Sequence, residues 1–390
     1  MNILTINAGS SSIKFKFYRY HNKNKITLLM SGQVSQIKTA YAILSIDQQS
    51  PEKSQKFDLL PSNPYLSAID QLRQSPKFNS FSIDCVINRV AHGGDDYKDI
   101  ILLHAKTISA LGGFAVFAPL DQEYNLLIAQ YFIDMYPNIK HYACFDTGFH
   151  QTASLVNKIY ALPVDKAYDS IKSYGFHGLS HSYVAWRLSS LVDDKLARGR
   201  WIIAHLGSSS SLCGIKNGKC VVTSKGITSA SGLPTPNYSG ELDPALIGYL
   251  KGKYNLDDKK LNQLLYEESG LYGLSGGISG DMSILVANKD PQAKFAVEVY
   301  TSAVASSITK FATLLGGMQG IVFTGGIGEN SPELRTMILE HLEWLDISVN
   351  KKANNGNKVK ICKKNSPIKV LIVPTNEEFA MVNQFIEHKL

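Results

Sequence analysis

The sequence predicts an α/β protein of two domains, and three observations carry that reading. Apolar strand-like runs alternate with segments of helical period in both halves of the chain; each half contains a hairpin whose turn is dense in glycine and serine; and a third apolar run ends on a cluster of glycines. At 390 residues the chain is too long for one small core. Hydrophobic residues at 44% and charged residues at 19% exclude a disordered or collagen-like chain. No stretch approaches the ~18 consecutive apolar residues of a membrane span, and the opening Met1 to Asn7 does not lead from a basic region into an apolar run. A soluble protein with no removed leader and no membrane partner is expected. The 5 cysteines are scattered and form no C-x-x-C pair, which fits a reducing cytoplasm.

The first element is the strand Ile3 to Ile6, followed by Asn7-Ala8-Gly9-Ser10-Ser11-Ser12 and the alternating run Ile13 to Phe17. The pattern returns as Trp201 to Ala204, His205-Leu206-Gly207-Ser208-Ser209-Ser210-Ser211, and Leu212 to Ile215. Gly9 to Ser12 and Gly207 to Ser210 are identical tetrapeptides. Such turns present backbone N–H groups and hydroxyls to an anion without bulk to hold a phosphate away. One hairpin in each half predicts two phosphate cradles facing one cleft. Gly320 to Thr324 then runs into Gly325-Gly326-Ile327-Gly328-Glu329-Asn330, with Ser331 as N-cap and Pro332 opening a helix, a strand-turn-helix place for a nucleotide. The Walker sequence is absent, which excludes P-loop NTPases, and a dehydrogenase built on Gly326-Ile327-Gly328 lacks the fingerprint's last glycine.

Between these landmarks helices are expected near 65–75, 123–135, 180–192, 244–252, 258–267, 294–314, 333–343 and 377–388, and further strands near 85–91, 141–145 and 369–373. The polar segment 350–367 reads as a surface loop or edge hairpin. Lysines and arginines number 40 against 33 acids, for a net charge of +7. The lysines gathered in 351–364 lack interleaved aromatics or a recognition motif, so nucleic acid is not an expected partner and an anionic small substrate is.

Four more clusters place a charge or a histidine beside small residues at the end of an apolar run: Asn88 to Gly94, Cys144 to His150, Tyr174 to His181, and Pro374-Thr375-Asn376-Glu377-Glu378. Together with Asn7 to Lys14, His205-Leu206-Gly207 and Gly325 to Asn330, these motifs resemble, in order and over essentially the whole chain, the signatures of the acetate and propionate kinase family. The resemblance implies a duplicated actin-like, sugar-kinase-like fold, with central mixed sheets and an interdomain cleft. It implies an N-terminal domain of 1–148 plus 378–390 and a C-terminal domain of 149–377, the latter carrying a homodimer interface. It also implies the reaction ATP + short-chain carboxylate ⇌ ADP + acyl phosphate, with Mg²⁺.

Residue roles follow from the same resemblance. Arg89 would bind the carboxylate and the transferring phosphoryl with its fork of donors, His177 would donate to an equatorial oxygen of the transition state, and Asp146 would orient the site and help hold the metal's water shell. Asn7 and Glu377 stand where the family ligates Mg²⁺, with Glu378 an alternative to Glu377. Ser10, Ser12 and Lys14 would contact phosphate from the first hairpin, and His205, Gly207, Ser208 and Ser209 from the second. Gly326, Ile327, Gly328 and Asn330 would line the adenosine pocket, opposite Asp281. Ala91, Leu120 and Phe176 would wall the acyl pocket. Ala91 replaces a valine usual in acetate-preferring relatives and leaves room for propionate.

Departures from the family pattern point the other way. Tyr238 occupies the position of a second catalytic arginine, and a tyrosine carries no positive charge at pH 7. Lys225, where the family has an uncharged residue, is the one nearby cation in sequence that could replace it. Asp121-Gln122 stands for His-Asn, Ser208 for Asn and Ser283 for Arg. Two readings follow: an active acyl kinase, or a catalytically weakened paralogue that binds nucleotide or acyl phosphate as a regulator.

Overall fold

The computed structural model describes residues 1–9, 12–23, 25–37, 39, 41–46, 54–60, 62–119, 121–165 and 168–389. Ser10 and Leu120, expected at phosphate and substrate, lie outside the described residues, as does Ser11. The chain divides into two compact units, Met1–Phe149 with Asn376–Leu390, and His150–Thr375.

The first unit is built on β1 (Asn2–Ala8), β2 (Ser12–Asn22), β3 (Lys25–Ser35), β4 (Tyr41–Ile46), β5 (Gln55–Asp58), β6 (Cys85–Val90), β7 (Ile101–Leu102) and β8 (Lys140–Phe145). They form one sheet in the order β5-β4-β3-β2-β1-β6-β8-β7. β1 is antiparallel to β2, with Asn7 opposite Lys14, and parallel to β6, which is parallel to β8. Every residue of β1 is buried, as expected for a central strand covered on both faces. Leu4, Ile6 and Ala8 join a core with Ala68, Ile69 and Leu72 of the helix Pro64–Gln74 and with Ile128 and Phe132 of the helix Gln122–Met135. Strand alternation sends Asn7 to the opposite face, where it meets the C-terminal helix Glu377–Lys389.

The second unit contains β9 (Arg200–Leu206), β10 (Ser210–Lys216), β11 (Lys219–Thr223), β12 (Gly320–Thr324) and β13 (Lys369–Ile372), ordered β11-β10-β9-β12-β13. β9 is antiparallel to β10 and parallel to β12, and β12 is parallel to β13. This is the order and polarity of β3-β2-β1-β6-β8, so the echo in the sequence is a repeated sheet. Ile202, Ala204 and Leu206 pack with the long helix Pro291–Leu315, which presents Ala296, Tyr300, Val304, Ile308 and Phe311 at helical spacing. That helix begins with Asp290 as N-cap and Pro291, and ends at the left-handed Gly316.

Several expectations are corrected. Gly325–Asn330 is a short helix rather than a turn, separated from the helix Pro332–Glu340 by the capping Ser331. Gly325 has φ of 78°, and a Cβ there would lie 2.7 Å from the Leu206 carbonyl oxygen, so only glycine fits. The helix expected at 180–192 spans Gly178–Leu188. Within 350–367 a helix forms at Lys351–Asn355, because the buried Arg335 binds both the side chain and the carbonyl of Asn354. The unit boundaries differ from the expected domains by one or two residues: Phe149, Asn376 and Glu377 belong to the first unit. Asn376 accepts from Lys16 Nζ at 2.7 Å, and Glu377 from Asn7 at 2.6 Å.

Candidate active site

In the first unit Arg89 projects from near the end of β6. Its Nε and Nη2 both donate to Asp146 Oδ2, at 2.9 and 2.6 Å, and Nη1 donates to the Ala8 carbonyl at 2.6 Å. The Ala8 carbonyl also accepts from Asn125 Nδ2 at 2.8 Å, while Asn125 Oδ1 accepts from Ala91 N at 2.9 Å. Asn125 thus ties the end of β1 to the chain just beyond β6, and it was not legible as a site residue. Asp146 follows β8 and is 1% exposed. Burial raises its pKa to about 6 against the pull of Arg89, and the field of Glu377 adds to the rise. Burial works against the charge of Arg89, but the Asp146 carboxylate raises its pKa and keeps it a cation.

Asn7 Nδ2 bridges the two glutamates, donating to Glu377 Oε2 at 2.6 Å and Glu378 Oε1 at 2.8 Å. Glu378 is buried and neutralised by Lys16 at 2.9 Å, whereas Glu377 is only partly buried. Lys16 was missed by the sequence reading; its signal is the alternation that puts it on one face of β2 with Lys14, which is exposed. Asp146 Oδ1 is buried and has no hydrogen-bond partner among the described residues. That orphaned oxygen, the Glu377 carboxylate that feels it, and the Asn7 amide make a hard oxygen donor set that fits Mg²⁺.

In the second unit His177 caps the helix Gly178–Leu188 in a left-handed conformation, φ 56° and ψ 27°, a strain of about 1–2 kcal/mol for a residue with a Cβ. Its Nδ1 meets Ser211 Oγ at 2.8 Å, and its ring stacks on His205 at 4.4 Å between centroids. Ser211 Oγ also meets His181 Nε2 at 2.9 Å. One hydroxyl has a single proton, so at least one of these imidazoles donates to it. Burial, aided by the fields of His150 and His205, pushes the pKa of His181 far down and keeps it neutral. His205 Nδ1 meets Ser180 Oγ at 2.8 Å, and Ser180 meets Thr375 Oγ1 at 2.8 Å. Ser180, Ser211 and Thr375 were missed, although each sits inside or beside a quoted motif.

The Gly207–Ser209 turn joins β9 to β10, with Ser208 exposed. A Cβ on Gly207 would lie 3.7 Å from His205 Nε2 and 3.8 Å from Gly326 N, so the turn, His205 and the helix Gly325–Asn330 are neighbours. Gly326 is open and exposed, Gly328 is buried, Ile327 is half-buried, and Asn330 Nδ2 returns to the Gly326 carbonyl at 2.9 Å. Glu329 Oε1 accepts from Gly325 N at 2.8 Å and Thr375 N at 3.0 Å. This carboxylate occupies the first amide of the glycine cluster, so that N–H is not open to a ligand. Asp281 is exposed and caps the helix Met282–Ala287.

Two further expectations are tested by burial. Lys225 is fully buried with Nζ on the Ser229 carbonyl at 2.6 Å, and burial lowers its pKa to about 7. It is not a solvent-facing cation. Tyr238 lies in a loop whose backbone is held by Thr235, with its ring edge-on to Tyr266 at 5.7 Å. Ala91 in the first unit and Phe176 in the second are both buried.

A paired sheet order with a Gly-Ser turn in each unit, an arginine braced by a carboxylate, and a strained, oriented imidazole are the parts of a phosphotransferase on the duplicated actin-like, sugar-kinase-like fold. A sequence model described as the Acetokinase family matches residues 2–383. The acetate kinase of Rickettsia prowazekii is 34% identical over 388 residues, covering 99% of this chain and 98% of that protein. That of Halothermothrix orenii is 35% identical, covering 98% of each. Among solved structures, a propionate kinase from Francisella tularensis superposes with a TM-score of 0.86 at 28% identity, covering 98% of each chain. Porphyromonas gingivalis acetate kinase gives 0.85 at 28% identity, covering 99% of each. The chain belongs to the acetokinase family and is an ATP-dependent phosphotransferase with a carboxyl group as acceptor. Among the described residues no helix is long and apolar enough to cross a membrane.

Proposed function

We propose that this enzyme transfers the γ-phosphoryl of ATP reversibly to propionate, and also to acetate, as a cytoplasmic homodimer that uses Mg²⁺. The single observation that carries the reading is Arg89, held by Asp146 and the Ala8 carbonyl so that its charge is fixed in place. In-line attack of a carboxylate on a phosphoryl brings two anions together, so catalysis is positioning plus neutralisation. Arg89 binds the acceptor carboxylate and the equatorial oxygens. His177, its ring oriented through Ser211, donates a hydrogen bond to the same oxygens as charge develops. Asn7, Glu377 and Asp146 would hold Mg²⁺ through their side-chain oxygens and the ion's retained waters; when bound, the ion would supply positive charge to the phosphates. Glu378, neutralised by Lys16, serves Asn7 as an orienting acceptor. The Gly207–Ser209 turn with His205 takes the nucleotide phosphates, and Gly326, Ile327, Gly328, Asn330 and Asp281 take the adenosine. Ser12 and Lys14 contact phosphate from the first unit. Ala91 and Phe176, with Leu120, wall the acyl group, and the small Ala91 favours propionate.

The second reading, a weakened paralogue that binds nucleotide or acyl phosphate as a regulator, is favoured by one observation. Tyr238 replaces a cation and the buried Lys225 does not restore it. Tyr238→Arg separates the two. In a weakened kinase kcat rises by one or more orders of magnitude, roughly the scale of an arginine finger; in an enzyme retuned around Tyr238 it stays level or falls. Steady-state ADP release with propionate and acetate reads the difference.

A further inference from the structure

We propose that His150, Cys213 and Cys220 form a buried site for a thiophilic d¹⁰ metal cation, with the imidazole Nδ1 and the two Sγ atoms as ligands. The three residues lie in the second unit, are buried, and play no part in the phosphotransfer described above. Nδ1 stands 3.3 Å from Cys220 Sγ and 3.9 Å from Cys213 Sγ, and the two sulfurs are 3.5 Å apart. A tetrahedron with metal–sulfur bonds of about 2.3 Å and metal–nitrogen bonds of about 2.0–2.1 Å has S···S edges of roughly 3.7 Å and S···N edges of roughly 3.5 Å. The two S···N distances, 3.3 and 3.9 Å, lie on either side of the second value, and the S···S distance of 3.5 Å is slightly shorter than the first.

The fold builds this triangle deliberately in three places. β10 and β11 pair with an irregularity between Gly214 and Ile215 that brings Cys220 beside Cys213. Thr152 Oγ1 donates to the Cys220 carbonyl at 2.9 Å, fastening the strand to the short turn that carries His150. Gly175, at φ 77°, passes so near the imidazole that a Cβ would lie 2.6 Å from it. The ring is also fixed in tautomer. Nε2 lies 2.9 Å from the Phe176 carbonyl, which can only accept, so Nε2 carries a proton and Nδ1 is the ring nitrogen that faces the sulfurs. A backbone carbonyl behind the ring is the usual outer partner of a metal-bound histidine.

Two blander explanations fit less well. A disulfide needs sulfurs about 2.05 Å apart and gives the imidazole no task. Packing as small hydrophobes is how Cys144 is used, its Sγ meeting a backbone carbonyl at 3.9 Å. Among the described residues no other three histidine, cysteine or acidic side chains gather in this way. Binding needs no redox step: a divalent cation with two thiols and a neutral imidazole gives the bis-thiolate complex and releases two protons. Cations that favour thiolate and imidazole over oxygen are the class selected, distinct from the hard Mg²⁺ of the first unit.

The test uses the full chain, purified under reducing conditions with chelator and then titrated with Cd(II). The expected result is a thiolate-to-cadmium charge-transfer band saturating at roughly one equivalent. The band is lost in Cys213→Ala/Cys220→Ala and retained in Cys362→Ser, which alters the half-buried thiol outside the cluster. Should the double variant fail to fold, X-ray absorption of zinc-loaded wild type decides. Two sulfurs at about 2.3 Å with a nitrogen at about 2.0–2.1 Å support the site. No band at stoichiometric cadmium, a band that survives the double variant, or a zinc shell of oxygen and nitrogen alone overturns it.

Discussion

Asn7 and His205 occupy the same place in two copies of one sheet, each two residues before the glycine of a Gly-Ser turn and each pointing away from the main helical core. Their surroundings differ in kind. Asn7 is set among ions: Glu377, Glu378 and Lys16 around it, with Arg89 on the neighbouring β6 paired to Asp146 just beyond β8. His205 is set among hydrogen-bonding groups: the His177 ring stacked on it, Ser180 at its Nδ1, and Thr375 behind Ser180. One frame therefore supplies net charge in the first unit and oriented hydrogen bonds in the second. On the proposed reading this divides the labour, with the acceptor carboxylate and metal handled mainly by ions and the nucleotide mainly by hydrogen bonds.

The comparison breaks most sharply at Arg89. Arg89→Ala is expected to lower kcat/KM by roughly 10³-fold or more, and to leave Asp146 buried without its counter-ion, a loss of about 3–5 kcal/mol in unfolding free energy. Activity near wild type in a folded variant would remove the ionic half of the account. His177→Ala is expected to cost on the order of 10²–10³ in kcat. Ser211→Ala, which acts only through the position of the ring, should cost about tenfold in kcat with KM unchanged; equal losses in both variants would make Ser211 more than an orienting group.

Lys225 sharpens the contrast, because it is a charge that the second unit hides. Its folded pKa of about 7 lies below the 10.5 of an exposed lysine, so between these values the unfolded chain binds more protons. Stability should thus rise with pH across that window, the burial penalty being fully present below about 7. Lys225→Met is expected to raise unfolding free energy at pH 6 by about 1–4 kcal/mol and to flatten the rise, read from urea midpoints at pH 6 and 9. The smallest effect is at Ala91. Ala91→Val should shift preference from propionate toward acetate a few-fold, at about 0.8 kcal/mol per methylene. A loss of stability with no change in the ratio would instead mean an overfilled core.

What the sequence disclosed and what it concealed have the same physical origin. Motifs at strand ends were legible because glycine, serine and charge beside an apolar run have few structural reasons to occur together, and the repeated hairpin announced the repeated sheet. The strands β3 to β5 were not read, since an edge meander has neither strict alternation nor flanking glycines. The Asn217-Gly218 turn that closes β10 on β11 was passed over, although both residues have positive φ, 53° and 71°, as that dipeptide favours. Glu329 was quoted inside a glycine motif, but its grip on Gly325 N depends on contacts that spacing does not reveal. Lys225 misled because sequence proximity to Tyr238 says nothing about burial.

The most direct test of the central claim is to trap acyl phosphate with hydroxylamine from the purified chain, MgATP and acetate, propionate or butyrate in parallel, with His177→Ala beside it. The account predicts hydroxamate from the wild type, greatest with propionate, and a loss on the order of 10²-fold or more in the variant. No hydroxamate from any acid while MgATP still binds would contradict it, and would make the exchange of a cation for Tyr238 decisive.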